Sequence, residues 1–116
     1  MKTTKSKTEQ RARRKARIRA KIFGTKEMPR LAVFKSNRYI SAQIIDDSAS
    51  KTLCSAHSKT IKGKTLLEKS AGLGLEIATA AKAKKIGKVV FDRGGFQYVG
   101  AVKAVAEGAR KGGLKF

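Results

Sequence analysis

The chain has 116 residues, 41% of them apolar, which is enough to form one compact domain without metal ions or disulfide bonds. Lys and Arg number 28 and Asp and Glu only 8, so the formal net charge is +20. Self-repulsion on this scale opposes compaction unless a polyanion neutralises it. Nucleic acid is the leading polyanion, ahead of an anionic membrane surface.

Cysteine content and hydropathy narrow the class of protein further. Cys54 is the single cysteine, so no internal disulfide can form and a reducing compartment is favoured. No apolar run approaches the roughly 20 residues of a transmembrane helix. No hydrophobic segment follows the basic N-terminus, which argues against a secretory signal, and an organellar transit peptide is the weaker alternative. We expect no membrane partner.

Residues 1–23 carry ten basic side chains against the single acid Glu9. Ala12, Ala16 and Ala20 recur four residues apart among good helix formers, which predicts a helix from Glu9 onward that ends at Gly24. Its apolar stripe is thin and its cations repel one another. We therefore interpret residues 1–23 as a basic arm, partly disordered when free, that becomes fully helical on RNA.

The sequence pattern of residues 24–116 predicts a globular domain that begins with three strands. The segment 31–34 is apolar, the segment 39–45 alternates with Ile40, Ala42 and Ile44 on one face, and the segment 52–57 follows. The turn residues between them predict an antiparallel meander. Phe34 is expected in the core.

A helix, a strand and a second helix complete the predicted domain. Residues 63–85 place apolar side chains at helical spacing, although Gly72 and Gly74 weaken the first half. Residues 88–91 are typical of a buried strand. A final amphipathic helix, marked by Val102, Val105, Ala106 and Ala109, closes at Gly112 and Gly113. The predicted fold class is α/β (α+β), a small mixed sheet of three antiparallel strands plus one more, with two packed helices and the helical arm.

Three segments are candidates for contact with nucleic acid. The arm and the turn at 35–39 supply cations for phosphates, and the turn adds an aromatic ring for stacking, although Tyr39 could equally be a cross-strand partner. The glycines of the 92–95 loop could let the backbone approach a phosphate, or Asp92 and Arg93 could pair with each other or with the backbone. The predicted RNA-binding residues in these segments are Arg11, Arg13, Arg14, Lys15, Arg17, Arg19, Lys21, Lys35, Ser36, Asn37, Arg38, Tyr39, Arg93, Gly94 and Gly95.

Enzymatic motifs are fragmentary. Gly63-Lys64-Thr65 lacks the first glycine of a phosphate-binding loop, and Gly72-Leu73-Gly74 lacks the rest of a dinucleotide fingerprint. Cys54 and His57 have metal-like spacing without further ligands. A two-metal nuclease site is the remaining enzymatic alternative, but convergence of its acids is unproven. Its four carboxylates would be Asp46, Asp47, Glu76 and Asp92. We expect no catalytic residues, metal, cofactor or small-molecule substrate.

Several motifs in order resemble one known family. The run RLAVFKSNRYISAQIIDD at 30–47, KTL at 51–53, VVFDRGG at 89–95 and GLKF at 113–116 are similar to the fixed points of bacterial large-subunit ribosomal protein eighteen. The basic run at 11–21 lies where that family keeps its Arg-rich arm. The resemblance covers the chain from about residue 9 to its end.

The resemblance implies a function without catalysis. A member of this family binds 5S rRNA and helps to attach it to 23S rRNA in the central protuberance, beside neighbouring large-subunit proteins, in a cytoplasmic ribosome or, less expectedly, an organellar one. It implies RNA surfaces at the arm, at 35–39 and at 92–98, which adds Tyr98. Val99 and Ala101 depart from the family's usual His and Arg, which puts contacts at those positions in doubt. The rival hypothesis is a general nucleoid-type nucleic-acid-binding protein.

Overall fold

The computed structural model describes residues 7–19 and 22–116. Lys21, one of the predicted RNA-binding residues, lies outside the described residues. Three helices and four strands follow one another in chain order. The elements are α1 (Lys7–Arg19), β1 (Arg30–Lys35), β2 (Ile40–Asp46), β3 (Lys51–His57), a short 3₁₀ turn (Ser58–Thr60), α2 (Leu66–Ala83), β4 (Val90–Asp92) and α3 (Gly100–Lys111).

The strands form one mixed sheet in the order β3-β2-β1-β4. The β1–β2 and β2–β3 pairs are antiparallel, because each is joined by a tight turn, and this confirms the predicted meander. β4 returns to the far side of β1 after α2 and pairs with it in parallel, as a helical crossover requires. The predicted mixed α/β fold is confirmed.

The core lies between one face of the sheet and the helices α2 and α3. Ile40, Ala42 and Ile44 alternate into it as predicted, and Leu31 and Val33 of β1 join them. Gly74 explains why glycine occurs inside α2: an added Cβ would lie 2.3 Å from the carbonyl oxygen of Val105. The two helices therefore pack backbone against backbone at this point. The buried helical residues are Leu73, Ile77, Ala78 and Ala81 of α2 and Val102, Val105, Ala106 and Ala109 of α3.

The opposite face of the sheet, here called the open face, is not covered by α2 and α3. It presents Ala32 and Phe34 of β1, Ser41 and Gln43 of β2, and their neighbours on β3. The prediction that Phe34 belongs to the core is wrong, because its side chain is 55% exposed. Successive side chains on a strand point to opposite faces, and Leu31 and Val33 already occupy the core side.

Candidate nucleic-acid interface

The arm forms a helix whose cations divide between two faces. Arg13, Lys15 and Arg17 are exposed, whereas Arg11 and Arg14, three residues apart, are half-buried. Residues at this spacing share one side of a helix. The half-buried pair is the side of α1 that meets the domain, Arg13 and Arg17 are directed to solvent, and Lys15 borders a cleft with Phe34. Arg19 is the last residue of α1.

Helix α1 docks on the loop that follows β4. The Arg14 Nε–H donates to the carbonyl oxygen of Gly95 at 2.9 Å, and the Arg11 guanidinium lies 4.8 Å from the centre of the Phe96 ring. An added Cβ on Gly95 would lie 2.5 Å from the backbone oxygen of Arg11. The arm and the glycine loop, which are 81 residues apart in the chain at their hydrogen bond, therefore form one surface.

The glycine loop is closely packed. Gly94 and Gly95 have φ angles of 66° and 80°, a conformation that residues with a Cβ rarely adopt. An added Cβ on Gly94 would lie 2.4 Å from the carbonyl oxygen of Val33, and both glycines are buried. Their role in this arrangement is to let the loop pass between β1 and α1.

Arg93 is anchored to the backbone of its own loop. One of its five N–H donors, on Nη1, donates to the carbonyl oxygen of Phe96 at 2.9 Å, while Asp92 accepts from the Gly94 N–H at 2.8 Å. This is the backbone pairing that the sequence left open as an alternative. Arg93 is half-buried, so part of its guanidinium still faces solvent beside α1.

A buried ion triad holds this loop to the rest of the domain. The guanidinium of Arg30 donates from Nε and Nη2 to the two oxygens of Asp47, at 2.9 and 3.0 Å, and from Nη1 to Asp92 at 2.8 Å. Asp47 also accepts from the Gly24 N–H at 2.8 Å. The hydrogen bond to Asp47, partly offset by burial, raises the pKa of Arg30 above its usual value. The triad ties the root of the arm, the β2–β3 turn and the glycine loop to β1.

The predicted β1–β2 turn is confirmed as an exposed hairpin connection. The Ser36 N–H donates to the carbonyl oxygen of Tyr39 at 2.8 Å, and the Tyr39 N–H donates to Ser36 Oγ at 3.2 Å. Asn37 and Arg38 at its tip are exposed. Lys35 is half-buried at the start of the turn and lines one cleft with Arg11, Arg14 and Phe96. The arm, the turn and the glycine loop therefore meet around this cleft.

Tyr39 is a cross-strand partner and is also exposed. Its ring lies 5.3 Å from that of His57 across the sheet, which is the contact of a cross-strand partner. It is nevertheless 42% exposed, so the ring also presents a face to solvent.

Tyr98 lies apart from the cleft. Its ring packs edge-on against Phe91 at 5.9 Å, and its hydroxyl accepts from Arg110 Nη1 at 3.4 Å. Phe91 also stacks on Phe116, with ring centres 5.4 Å apart, so the Tyr98 side chain belongs to a group of three aromatic rings near the C-terminus. The next residue, Val99, is 61% exposed at the N-cap of α3, whereas Ala101 is buried.

The comparison with known families decides the identity of the chain. The family model described as ribosomal L18 of archaea, bacteria, mitochondria and chloroplasts matches residues 5–116. The chain belongs to the ribosomal L18 family. It is therefore a ribosomal protein and not an enzyme, and the general nucleoid-type hypothesis is superseded.

Individual relatives agree with the family match along nearly the whole chain. A protein of Thermotoga petrophila is 51% identical over 96% of both chains. A protein of Lactiplantibacillus plantarum is 52% identical over 99% of this chain and 98% of the relative. A protein of Lawsonia intracellularis is 50% identical over 97% and 98%. Each relative is named large ribosomal subunit protein uL18.

Membership of the ribosomal L18 family also accounts for the enzyme-like fragments. Thr65 Oγ1 accepts from the Glu68 N–H and Glu68 accepts from the Lys64 N–H, so the Gly63-Lys64-Thr65 fragment begins α2 as a helix cap. Two of the suspected nuclease carboxylates, Asp47 and Asp92, share Arg30 as their ion-pair partner. Within residues 7–19 and 22–116, no three His, Cys, Asp or Glu side chains come together as metal ligands would.

Two further properties bear on the remaining sequence predictions. Cys54 is buried in the core, and burial raises the pKa of its thiol. In the part of the chain that the structure describes, no helix is both long and apolar enough to span a membrane.

Sequence reasoning missed two residues that matter for this surface. The role of Arg30 in organising the loop is not predicted, because an arginine at the start of a strand is usually exposed and no local pattern indicates its carboxylate partners. Phe96, which joins α1 to Phe34, was also missed, because an isolated aromatic residue in a loop carries no periodic signal.

Proposed function

We propose that this chain, a structural constituent of the large ribosomal subunit, binds 5S rRNA and helps to attach it to 23S rRNA in the central protuberance. The arm and the domain contribute differently to RNA binding. Residues 1–23 contribute cations that neutralise phosphates, and residues 24–116 form a globular RNA-binding domain that fixes where the arm begins.

The observation that carries the proposal is the docking of α1 on the glycine loop. The contacts of Arg14 with Gly95 and of Arg11 with Phe96 fix one side of the helix. Arg13 and Arg17, four residues apart, then share an exposed side of the helix, and Lys15 is exposed where α1 borders the cleft with Phe34. Cations positioned in this way suit the phosphate backbone of a folded RNA, because they release counterions without first having to be ordered.

Electrostatics should dominate affinity, and shape should supply selectivity. A net charge of +20 attracts any polyanion, so charge alone cannot distinguish 5S rRNA from other nucleic acids. RNA is distinguished by its A-form shape, its 2′-hydroxyls and its unpaired bases. The exposed turn residues Ser36, Asn37 and Arg38 have donors and acceptors for such contacts.

The test is a titration of the purified chain against 5S rRNA across a salt series. The logarithm of the affinity should fall linearly with the logarithm of the salt concentration, with a slope of several units if several phosphates are neutralised. A DNA duplex of equal length at matched salt is the control for general polyanion binding. Equal affinity for both nucleic acids, or a slope near zero, would remove the case for a specific 5S rRNA ligand.

A further inference from the structure

One row of residues crosses the open face from β1 to β3. Phe34 pairs with Ser41 of β2, and Ser41 pairs with His57 of β3. Neighbouring strands are about 4.8 Å apart, so the row spans roughly 10 Å. Rings stand at both ends of the row, with a small polar side chain between them. None of these three residues belongs to the arm, the turn or the glycine loop.

The two rings are braced and exposed. Phe34 meets Phe96 edge-on, with centroids 5.8 Å apart, and keeps 55% of its surface exposed. His57 lies against Tyr39, and its Nδ1 accepts from the Lys59 N–H at 3.0 Å, which fixes the orientation of the imidazole. Because neighbouring contacts hold both rings in place, little conformational entropy remains to be lost when a ligand stacks on them.

The surroundings of this row are polar, with the cation Lys15 near Phe34 and the acid Glu76 near His57. The next row of the sheet consists of Ala32, Gln43 and Ser55, and the side chains of Gln43 and Ser55 are exposed. Lys15 of α1 lines one cleft with Phe34 and Gln43. Asp92, the acid in this cleft, is buried and bound by Arg30, which it shares with Asp47. The face therefore offers rings, hydrogen-bonding groups and a positive charge together.

We propose that this surface is a stacking platform for unpaired bases of a looped RNA segment. The platform consists of Phe34, Ser41 and His57, with Tyr39 beside His57. A sheet that presents exposed aromatic rings can stack two or three splayed bases, while polar side chains bind the base edges. A purely apolar protein partner fits less well, because Ser41 and Gln43 would lose water without a defined partner.

The platform is continuous with the surface already described. Arg11 of α1 lies over Phe96, and Phe96 contacts Phe34, so the arm and the platform share one aromatic connection. An RNA held by the cations of the arm is thereby placed beside the rings. The proposal rests on the proposed function for the identity of the RNA, and it adds unpaired bases as the ligand.

The test compares Phe34→Leu with Phe34→Tyr in titrations against 5S rRNA. Leu keeps the apolar bulk and removes the ring, so affinity should fall about tenfold, equivalent to 1.4 kcal/mol, which is within the range for one stacked base. Tyr keeps the ring and should bind like the wild type. The slope against salt should be the same in all variants, because no cation is removed. The matched control is Leu67→Ala, which alters a 54% exposed side chain on α2, away from the open face.

Two further measurements separate stacking from indirect effects. On a fully base-paired RNA duplex Phe34→Leu should bind like the wild type, and ultraviolet crosslinking to 5S rRNA should attach bases to the platform. A tenfold loss on the paired duplex as well would mean that Phe34 acts only by bracing Phe96, which overturns the proposal. Crosslinks confined to the arm would overturn it too.

The outcomes also distinguish this proposal from the function on which it rests. A wild-type chain that shows no preference for 5S rRNA refutes the proposed function. A wild-type chain that prefers 5S rRNA, together with a Phe34→Leu variant of equal affinity and unchanged melting temperature, refutes the platform alone. Unchanged RNA affinity with lost assembly into large subunits would assign the open face to a protein partner and likewise overturn the proposal.

Discussion

Replacing Asp92 by Ala should destabilise the domain severely, because it breaks the buried ion triad. Asp92 is 1% exposed and accepts two hydrogen bonds, one from Arg30 Nη1 and one from the Gly94 N–H, both at 2.8 Å. Removing one partner of a buried pair costs about 3–5 kcal/mol. Arg30 keeps its two bonds to Asp47, which favours the lower end, but the Gly94 N–H loses its acceptor at a cost of about 1–3 kcal/mol. We expect a total loss of about 4–6 kcal/mol.

A loss of this size is a large part of the stability of a small domain, which is about 5–15 kcal/mol in total. The assay is urea unfolding followed by circular dichroism, with a thermal melt that should shift by more than about 10 °C. The matched control is Glu107→Ala, which also removes one carboxylate and breaks a pair with Lys103. That pair is exposed and its atoms are 3.9 Å apart, so the control should cost less than about 0.5 kcal/mol. Equal losses for Asp92→Ala and Glu107→Ala would refute the structural role of the triad.

Three other predictions follow from the same geometry. Arg93→Glu should weaken 5S rRNA binding more than Lys111→Glu, which makes an equal change of charge at the end of α3. Equal losses of affinity in titrations of the two folded variants would mean that only net charge matters. Removal of residues 1–23 should leave the domain folded in a thermal melt while reducing its RNA affinity by orders of magnitude. Ten cations are lost, and each true phosphate contact contributes about 1 kcal/mol to binding. A truncated chain that fails to fold would show that α1 belongs to the core. Burial raises the pKa of Cys54 above its ordinary value of 9.0, so the stability that the neutral thiol contributes is complete below that pH and is lost as the pH rises above it. The difference in free energy of unfolding between wild type and Cys54→Ala should accordingly shrink as the pH rises above 9.0, and a constant difference would contradict this.

The sequence alone determined the features that depend on local periodicity and charge. Alternation placed Ile40, Ala42 and Ile44 on one buried face, and helical spacing placed Val102 and Val105 in the core. These patterns are readable because the side-chain repeats of strands and helices depend only on the local backbone. The net charge of +20 and its concentration in the arm likewise needed no structure to indicate a polyanionic partner.

Only the tertiary structure decided which distant residues meet. Arg30 finds one partner 17 residues away and another 62 residues away, and no local pattern encodes either separation. The docking of Arg14 on Gly95 is a longer-range contact still. The orientation of Phe34 could not be predicted either. Its hydrophobicity suggested the core, but the pairing of β1 with β2 places its side chain on the open face. Contacts of this kind depend on how the strands pair and on which face of the sheet packs against the helices, so they follow from the whole fold and not from any one segment.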